Sequence, residues 1–567
     1  MSIKQGFRVT NAFAKINNSV FSVVARKIHV WNDDKTVNSP YKDVVIPETT
    51  LAEYVWQVLD KHPTKTATIC AITKRHYTFE QIYKQSQTLG ANLRRKFNIQ
   101  DGDTVAVLLP NIPEYPTVVF GILNAGGIVT TLNPIYTAYE VQRQIQLSEA
   151  KLIVTLPELV TVVNKALELA KVNIPVIAVN TNQDLPDGTV SYKELVEDNH
   201  VDLNVLKQVK RNVNDVAFLP YSSGTTGLPK GVELTNKCLV ANLQQQTTDM
   251  RMYSFTTETN QDSVLAVLPI FHVYGLSYVM LQSLTAGLKL VTLPKFQPDT
   301  FLHSLLEYKI NNLYLAPPMV LFLGSHPQAT SKHLESLRVM VSGAAPLSRV
   351  DLDKLMGKVK HEFHFTQGYG MTEASPLVTI SPIGSKEYET SGFALPNIQL
   401  RVVDGDLKNL GPGEVGELLI KGPNLMRGYK NNPEANKEVF VDNDWYRSGD
   451  LVSINDRGLV TIADRLKELI KVKGYQVPPA ELENVVKENP VVADAAVIGA
   501  PDPQTGERPK AFVVLKEGSK ATEQDIINFV SERVAPYKKI KEVVFLDNIP
   551  KNPSGKILRR VLKEKYC

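Results

Sequence analysis

What most limits the fold of this chain is an alternation of short apolar runs with amphipathic stretches over most of its length. "TVAVLLP", "GIVTTLN", "KLIVT" and "PVIAVN" are brief apolar runs, and among them "EYPTVVFGILNA" and "PELVTVVNKALELA" carry helical periodicity. The pattern returns after residue 215, where "VAFLPYS", "SVLAVLPI", "LKLVTLP", "NLYLAPP" and "LRVMVSG" are strand candidates with helical stretches between most of them. Strand, helix, strand units build parallel sheets covered on both faces, so two such regions predict two doubly wound α/β subdomains. From about Asp404 the texture of "GDLKNLGPGEVGELLIKG" is shorter and punctuated by glycine, which predicts a small β-rich region. Arg465 to Cys567 has the size of a domain. A helix, two strands joined by a "GAPDPQTGERPK" turn, another helix and a last strand predict a small α+β cap there.

At 567 residues, 43% hydrophobic and 22% charged, the chain exceeds what one core can hold and has ordinary globular composition. Cys70, Cys238 and Cys567 lie far apart with no paired spacing, which argues against a disulfide framework or a zinc site and for a reducing compartment. Of the formal charge of +4, residues 1 to 32 hold Lys4, Arg8, Lys15, Arg26 and Lys27 and no acid, so the remainder is nearly neutral. A neutral body offers no electrostatic footprint for nucleic acid. In the basic segment Phe13, Ile16, Val20 and Val23 recur at helical spacing among serines and asparagines, the pattern of a mitochondrial transit peptide, with a disordered basic tail as the alternative. The final "KEKYC" carries neither a peroxisomal address nor a prenylation box. This leaves a cytoplasmic location, or a peroxisomal one by another route, as the alternatives to the mitochondrion. Ser263 to Leu288 has no formally charged residue and the length to cross a bilayer, but Pro269, His272, Gly275 and Gln282 interrupt it. It reads as a buried strand, a loop and a helix, so no transmembrane span is expected, and peripheral membrane contact stays open.

Ligands in doubly wound sheets gather where loops leave the carboxyl ends of strands. "YSSGTTGLPKGV", directly after "VAFLP", is such a loop. A Walker A loop places its lysine before a serine or threonine. Here Lys230 precedes Gly231, and the hydroxyls of Ser222, Ser223, Thr225 and Thr226 come earlier. The spacing excludes a P-loop while keeping the chemistry of anion binding. Gly224 and Gly227 let backbone N–H groups approach, the hydroxyls donate, and Lys230 adds positive charge. A solvated flexible loop is the alternative for the first six residues alone.

The loop closely resembles the signature of the adenylate-forming superfamily, which includes acyl-CoA synthetases, 4-coumarate:CoA ligases, firefly luciferases and peptide-synthetase adenylation domains. "LPIFHVYGL", "SGAAPL", "QGYGMTEASP", "YRSGDL", "DRLKELIKVKGYQVPPAELE" and "PKNPSGKILRR" follow in the family's order, and the resemblance runs from about residue 45 to 560. It implies a large N-terminal domain of two doubly wound αβαβα subdomains plus a small β-rich subdomain, and a mobile small α+β C-terminal domain. On that reading residues 45–464 form the adenylation domain, 465–467 the hinge and 468–567 the lid.

The resemblance further implies that a carboxylate attacks the α-phosphorus of ATP, and that the thiol of CoA then displaces AMP. Its cofactors are ATP, Mg²⁺ and coenzyme A. Ser222, Ser223, Gly224, Thr225, Thr226 and Lys230 would cradle the β- and γ-phosphates, Thr372 would touch the α-phosphate and Glu373 would hold Mg²⁺. Gln367, Gly368 and Tyr369 would border the nucleotide, with Tyr369 stacked on or beside adenine. Asp450 would accept both ribose hydroxyls. Lys556 would reach the carboxylate and the α-phosphate, and Arg465 the ribose or a phosphate. Lys467 would lie in the hinge. After rotation of the lid Lys471, Lys473 and Gly474 would face the nucleotide and the CoA tunnel, with Lys295 approaching CoA; a solvated surface is the alternative for these four.

His272 would lie beside the acyl carboxylate and shift to open the CoA path. Tyr274, Tyr278, Gly343, Ala344, Ala345, Gly370, Met371 and Leu377 would line the acyl pocket, although by composition alone most of them read as core. Departures narrow the subfamily. Luciferases have a serine where this chain has Pro376 and a smaller residue at Leu377, so light emission is not expected. Hydroxycinnamate ligases share Tyr274 and Pro376 but have a small serine where Tyr278 stands. With a mitochondrial address, the expected substrate is a medium- to long-chain fatty acid, and a hydroxycinnamate is the alternative. A carrier-dependent adenylation domain is not expected, since the chain ends soon after "GKILRR", and a silent nucleotide binder would be expected to lack Glu373, Asp450 or Lys556.

Overall fold

The computed structural model describes residues 29–180, 184–222, 229–247, 256–345, 347, 349–442, 444–466, 468–472, 475–502, 505–534, 536–552 and 555–567. Of the basic segment 1–32, residues 1–28 lie outside them, whereas Val30 and Trp31 at its end are buried in the core of the large body. Every apolar run read as a strand forms one. Thr104–Leu108, Ile128–Thr131, Leu152–Thr155, Val176–Ala178 and Val216–Phe218 pair in parallel at the centre of a nine-stranded sheet. Ser263–Ala266, Lys289–Thr292, Asn312–Leu315, Val339–Ser342 and His364–Gly370 form the parallel centre of a second nine-stranded sheet.

Helices cross between the strands because their ends are specified locally. Thr78 and Gln81 make reciprocal capping hydrogen bonds before the helix Phe79–Phe97, and Thr137 and Glu140 do the same before Ala138–Ser148. The helix Tyr115–Asn124 buries nearly every side chain it has, which explains why its sequence is apolar on all faces. Within the uncharged stretch, the strand Ser263–Ala266 leads to a helical run of π type at Tyr274–Leu281 and α type at Gln282–Thr285. Among the described residues no helix is long and apolar enough to cross a membrane.

A six-stranded antiparallel sheet built mainly of Gln399–Val403, Val415–Lys421, Trp445–Ile454 and Val460–Arg465 matches the predicted β-rich region. Its apolar face joins one continuous core with both doubly wound sheets, reaching from Val30 to Val460. The remaining strands have a core of their own, Ile470, Val472, Leu482, Val497, Val513 and Val543 among its members. Two features of that smaller body depart from expectation. The segment read as a turn is mostly ladder: Val492–Asp502 and Gly506–Leu515 pair from Val492 opposite Leu515 to Asp502 opposite Gly506. The cooperative ladder outweighs the local breaker tendency of its prolines and glycines. A C-terminal helix, Arg559–Tyr566, was not anticipated; it buries Leu562 against Ala496, Ile498 and Phe512.

Candidate active site

The two bodies face each other across a cleft of about 2060 Å³. The large body contributes loops that leave the carboxyl ends of its parallel strands, as the topology requires. The smaller body contributes the loop that precedes its terminal helix, including Lys551, Asn552 and Lys556.

At one wall, the strand Lys230–Thr235 sets the Lys230 ammonium 4.8 Å from the centroid of the Tyr429 ring. The Tyr429 hydroxyl donates to Glu373 Oε1 at 2.9 Å, and lies 3.3 Å from the Tyr446 hydroxyl. Glu373 follows Thr372 in the single turn Thr372–Ala374, just after the strand His364–Gly370. Burial first, and then the Glu373 charge, hold the Tyr429 and Tyr446 phenols above their ordinary range. Both therefore stay hydrogen-bond donors at neutral pH. A cation and a carboxylate thus stand on two sides of one phenol ring, both facing the cleft.

Asp450 lies on the strand Trp445–Ile454 and pairs in register with Arg465. Its Oδ2 accepts from the Tyr369 hydroxyl at 2.6 Å. The carboxylate is buried, 4% exposed, so this charge-assisted bond fixes which way it points.

The apolar end of the cleft is lined by tyrosines. Tyr278 packs edge-on to Tyr314 with ring centroids 5.0 Å apart and at 5.9 Å, tilted, from Tyr274. Gly343, Ala344, Gly370, Met371, Pro376 and Leu377 line the same cleft. The glycines keep its wall thin: a Cβ on Gly343 would lie 3.4 Å from Tyr274 Cε1, and one on Gly370 would lie 2.1 Å from the Pro376 carbonyl oxygen. His272 also lines the cleft and is half-buried. Its Nδ1 accepts from the Tyr274 N–H at 3.3 Å, which leaves Nε2 as the protonated nitrogen of the neutral ring. Burial pulls its pKa down to about 4, so the ring is neutral at physiological pH.

The structure therefore brings together Ser222, Lys230, His272, Tyr274, Tyr278, Gly343, Ala344, Gly368, Gly370, Met371, Thr372, Glu373, Leu377, Asp450 and Lys556 on one cleft. Tyr369 joins them through Asp450. Ala345 stands next to this wall without lining it, and the Gln367 amide turns away to the Tyr388 carbonyl. Lys471 is exposed on the hairpin of Ile470–Val472, its backbone N–H donating to Glu507 at 2.8 Å, away from the cleft. Lys295 is likewise exposed and outside the lining. Ser223, Gly224, Thr225, Thr226, Lys467, Lys473 and Gly474 lie outside the described residues, as does the side chain of Arg465. Sequence reading missed Tyr429, Tyr446 and Tyr314. Tyr446 opens the "YRSGDL" motif without its role being read, and nothing in "RGYKN" or "LYLAPP" marks the other two, because the partners come from strands distant in the chain.

Comparison with known proteins agrees with this geometry. The model of the AMP-binding enzyme family matches residues 55–430, and that of the AMP-binding enzyme C-terminal domain matches residues 481–556. 4-Coumarate–CoA ligase 3 of Oryza sativa subsp. japonica is 37% identical over 554 residues, covering 96% of each chain. 4-Coumarate–CoA ligase 1 of Petroselinum crispum is 37% identical over 546 residues, 94% of this chain and 97% of its own. Among solved structures, ATP-bound MatB from Rhodopseudomonas palustris superposes with a TM-score of 0.81 at 28% identity, over 91% of this chain and 99% of its own. The apo form of MatB gives 0.72. The chain belongs to the AMP-binding, adenylate-forming enzyme family.

Proposed function

We propose that the chain is an AMP-forming acid–CoA ligase whose acid is a medium- to long-chain fatty acid. The observation that carries the ligase reading is the joining, on one cleft, of Lys230, Glu373, Asp450 and Lys556 with His272 and an apolar wall that includes Tyr274 and Tyr278. In the first step a carboxylate oxygen bonds to the α-phosphorus of ATP as the bond to the bridging oxygen breaks, and pyrophosphate leaves. In the second the sulfur of CoA bonds to the acyl carbon, AMP leaves with the carboxylate oxygen, and the thiol proton passes to solvent.

The difficulty of the first step is bringing an anion to an anion. Fixed cations that face the developing charge lower that barrier without reorganising. Lys230 and the hydroxyl loop before it hold the outer phosphates, and Lys556 offsets the repulsion at the reacting atoms. Asp450, aimed by Tyr369, accepts the ribose hydroxyls. Among the described residues no group of three or more His, Cys, Asp or Glu gathers to hold a metal alone. Glu373, one buried carboxylate beside a phosphate site, suits Mg²⁺, which takes few protein ligands and shares the phosphates. Bound there, the ion would neutralise phosphate charge. The inward Lys556 and outward Lys471 fit the adenylation half-reaction, and so does the better superposition on the ATP-bound form of MatB.

Tyr278 favours a narrow acyl chain, because its buried ring fills space that a planar aromatic acid would need. The named activity of the relatives favours a hydroxycinnamate as the second reading. Acid-dependent exchange of labelled pyrophosphate into ATP, without CoA, tests the first step with each acid in turn. Exchange with octanoate and palmitate above that with coumarate is the expected result; exchange with coumarate alone would overturn the fatty-acid reading and keep the ligase, and exchange with no acid would overturn both.

A further inference from the structure

We propose that Arg559 is a positioning residue for Lys556: its guanidinium ties the loop carrying Lys556 to the segment that joins the two bodies. The proposal rests on the reading of Lys556 as the lysine that serves adenylation.

Lys556 sits on a tight return. The Asn552 N–H donates to the Lys556 carbonyl at 2.9 Å, and the Lys556 N–H donates back to Asn552 Oδ1 at 2.9 Å. Gly555 has φ of +82°, and a Cβ there would lie 2.8 Å from Pro318 Cδ of the large body. At Gly555 the chain is therefore pressed against the large body. The ends of the loop are tied to the smaller body. Before the return, Lys551 Nζ reaches Asp494 at 2.5 Å. After it, Arg559 opens the terminal helix, with its side chain 12% exposed.

Arg559 contacts two carboxylates, one in the core of the smaller body and one beside the junction, and feels the charge of a third across it. Its Nη2 lies 2.9 Å from Glu483 Oε1, and Glu483 also accepts from the Val497 N–H at 2.8 Å, which anchors it in the core of the smaller body. Its Nε lies 3.3 Å from Oε2 of Glu468, the residue after the expected hinge at 465–467, as an ion pair without hydrogen-bond geometry. The Asp464 charge also acts on the guanidinium, and Asp464 Oδ2 accepts from the Ala480 N–H at 2.9 Å, at the start of the helix that carries Glu483. Asp464 belongs to the strand Val460–Arg465 of the large body. These carboxylates hold the arginine above its ordinary pKa against the opposing effect of burial.

Glu483 holds the arginine in the core of the smaller body, and Glu468 is the first residue of that body after the expected hinge. The ion pair with Glu468 ties the loop to the residue beside the junction and so sets its angle there. The long guanidinium reaches Glu483 with Nη2 while its other edge faces Glu468, and a lysine, with one point charge, can serve only one of the two at a time. Arg559→Lys should therefore keep the charge and much of the stability while letting Lys556 drift from its working position.

The test is a double-mutant cycle on the full chain, with pyrophosphate exchange as one readout and thioester formation from supplied acyl-AMP and CoA as the other. Arg559→Lys should lower exchange about tenfold or more and leave thioester formation within about threefold. In a Lys556→Ala background, Arg559→Lys should lower exchange by less than about twofold further, because a residue that acts through another loses its effect once that other is gone. Independent, multiplying losses would overturn the proposal, and so would equal loss of both half-reactions. Exchange unaffected by Lys556→Ala would overturn the reading of Lys556 itself, and the proposal with it. If Arg559→Lys does not fold, Glu468→Gln keeps the size of its partner and should show the same non-additive loss of exchange at an unchanged Tm.

Discussion

Replacing Tyr278 by serine should redirect the pocket from chains to rings. The ring is 3% exposed and packs on both Tyr274 and Tyr314, each aromatic pair contributing about 0.5–1.5 kcal/mol. With the cavity included, truncation of so large a buried aromatic costs about 3–5 kcal/mol of stability, so the melting temperature will fall. An alkyl chain gains little from the vacated space, whereas a hydroxycinnamate ring gains room it lacked. Steric discrimination in such pockets is worth about 1–3 kcal/mol, or about 10–200-fold. The ratio of kcat/KM for coumarate over palmitate should rise by that factor in Tyr278→Ser and stay near its starting value in Tyr278→Phe. Both acids are assayed by thioester formation on one preparation, so the ratio does not depend on the active fraction. A ratio unchanged within about twofold, or lower, would refute the claim that the Tyr278 ring selects the acyl group.

Gly370→Ala should abolish activity and lower stability, since its Cβ would meet the Pro376 backbone oxygen at 2.1 Å and neither strand can yield without moving Thr372 and Glu373; a folded, active variant in a thermal melt and exchange assay would contradict this. His272 titrates near 6.5 when unfolded and near 4 in the fold, so between those values the unfolded chain binds the extra proton and stability rises with pH. Melting temperature should climb more steeply from pH 4 to 6.5 in the parent than in His272→Asn, and equal slopes would count against a buried neutral imidazole. Residues 1–32 fused to a fluorescent protein should direct it to mitochondria; diffuse fluorescence would remove that address.

The doubly wound sheets were legible because apolar runs and helical periodicity are local signals, and "TVAVLLP" or "LRVMVSG" can be little else. Of the cleft residues in loops, Ser222 and Lys230 were legible as an anion site from residue chemistry, and the others only through resemblance. Periodicity alone puts Gly343, Gly370 and Leu377 in the core, and the structure does bury Leu377. What the sequence hid is long-range. Tyr429 bridges Lys230 and Glu373 from positions far apart in the chain, and its sequence neighbours carry no motif. Arg559 lay in plain view in "GKILRR", yet its partners Glu468 and Glu483 come from the other end of the smaller body. The strands through "GAPDPQTGERPK" were hidden for the opposite reason: strong local turn signals were overridden by a long ladder.

The central claim is that one cleft converts ATP, an acid and CoA into AMP, pyrophosphate and a thioester. Mass spectrometry of products after incubating the protein with ATP, Mg²⁺, CoA and a panel of fatty acids and hydroxycinnamates measures this directly. The account predicts AMP and fatty acyl-CoA in equal amounts; ADP as the nucleotide product, or AMP with no thioester from any acid, would contradict it.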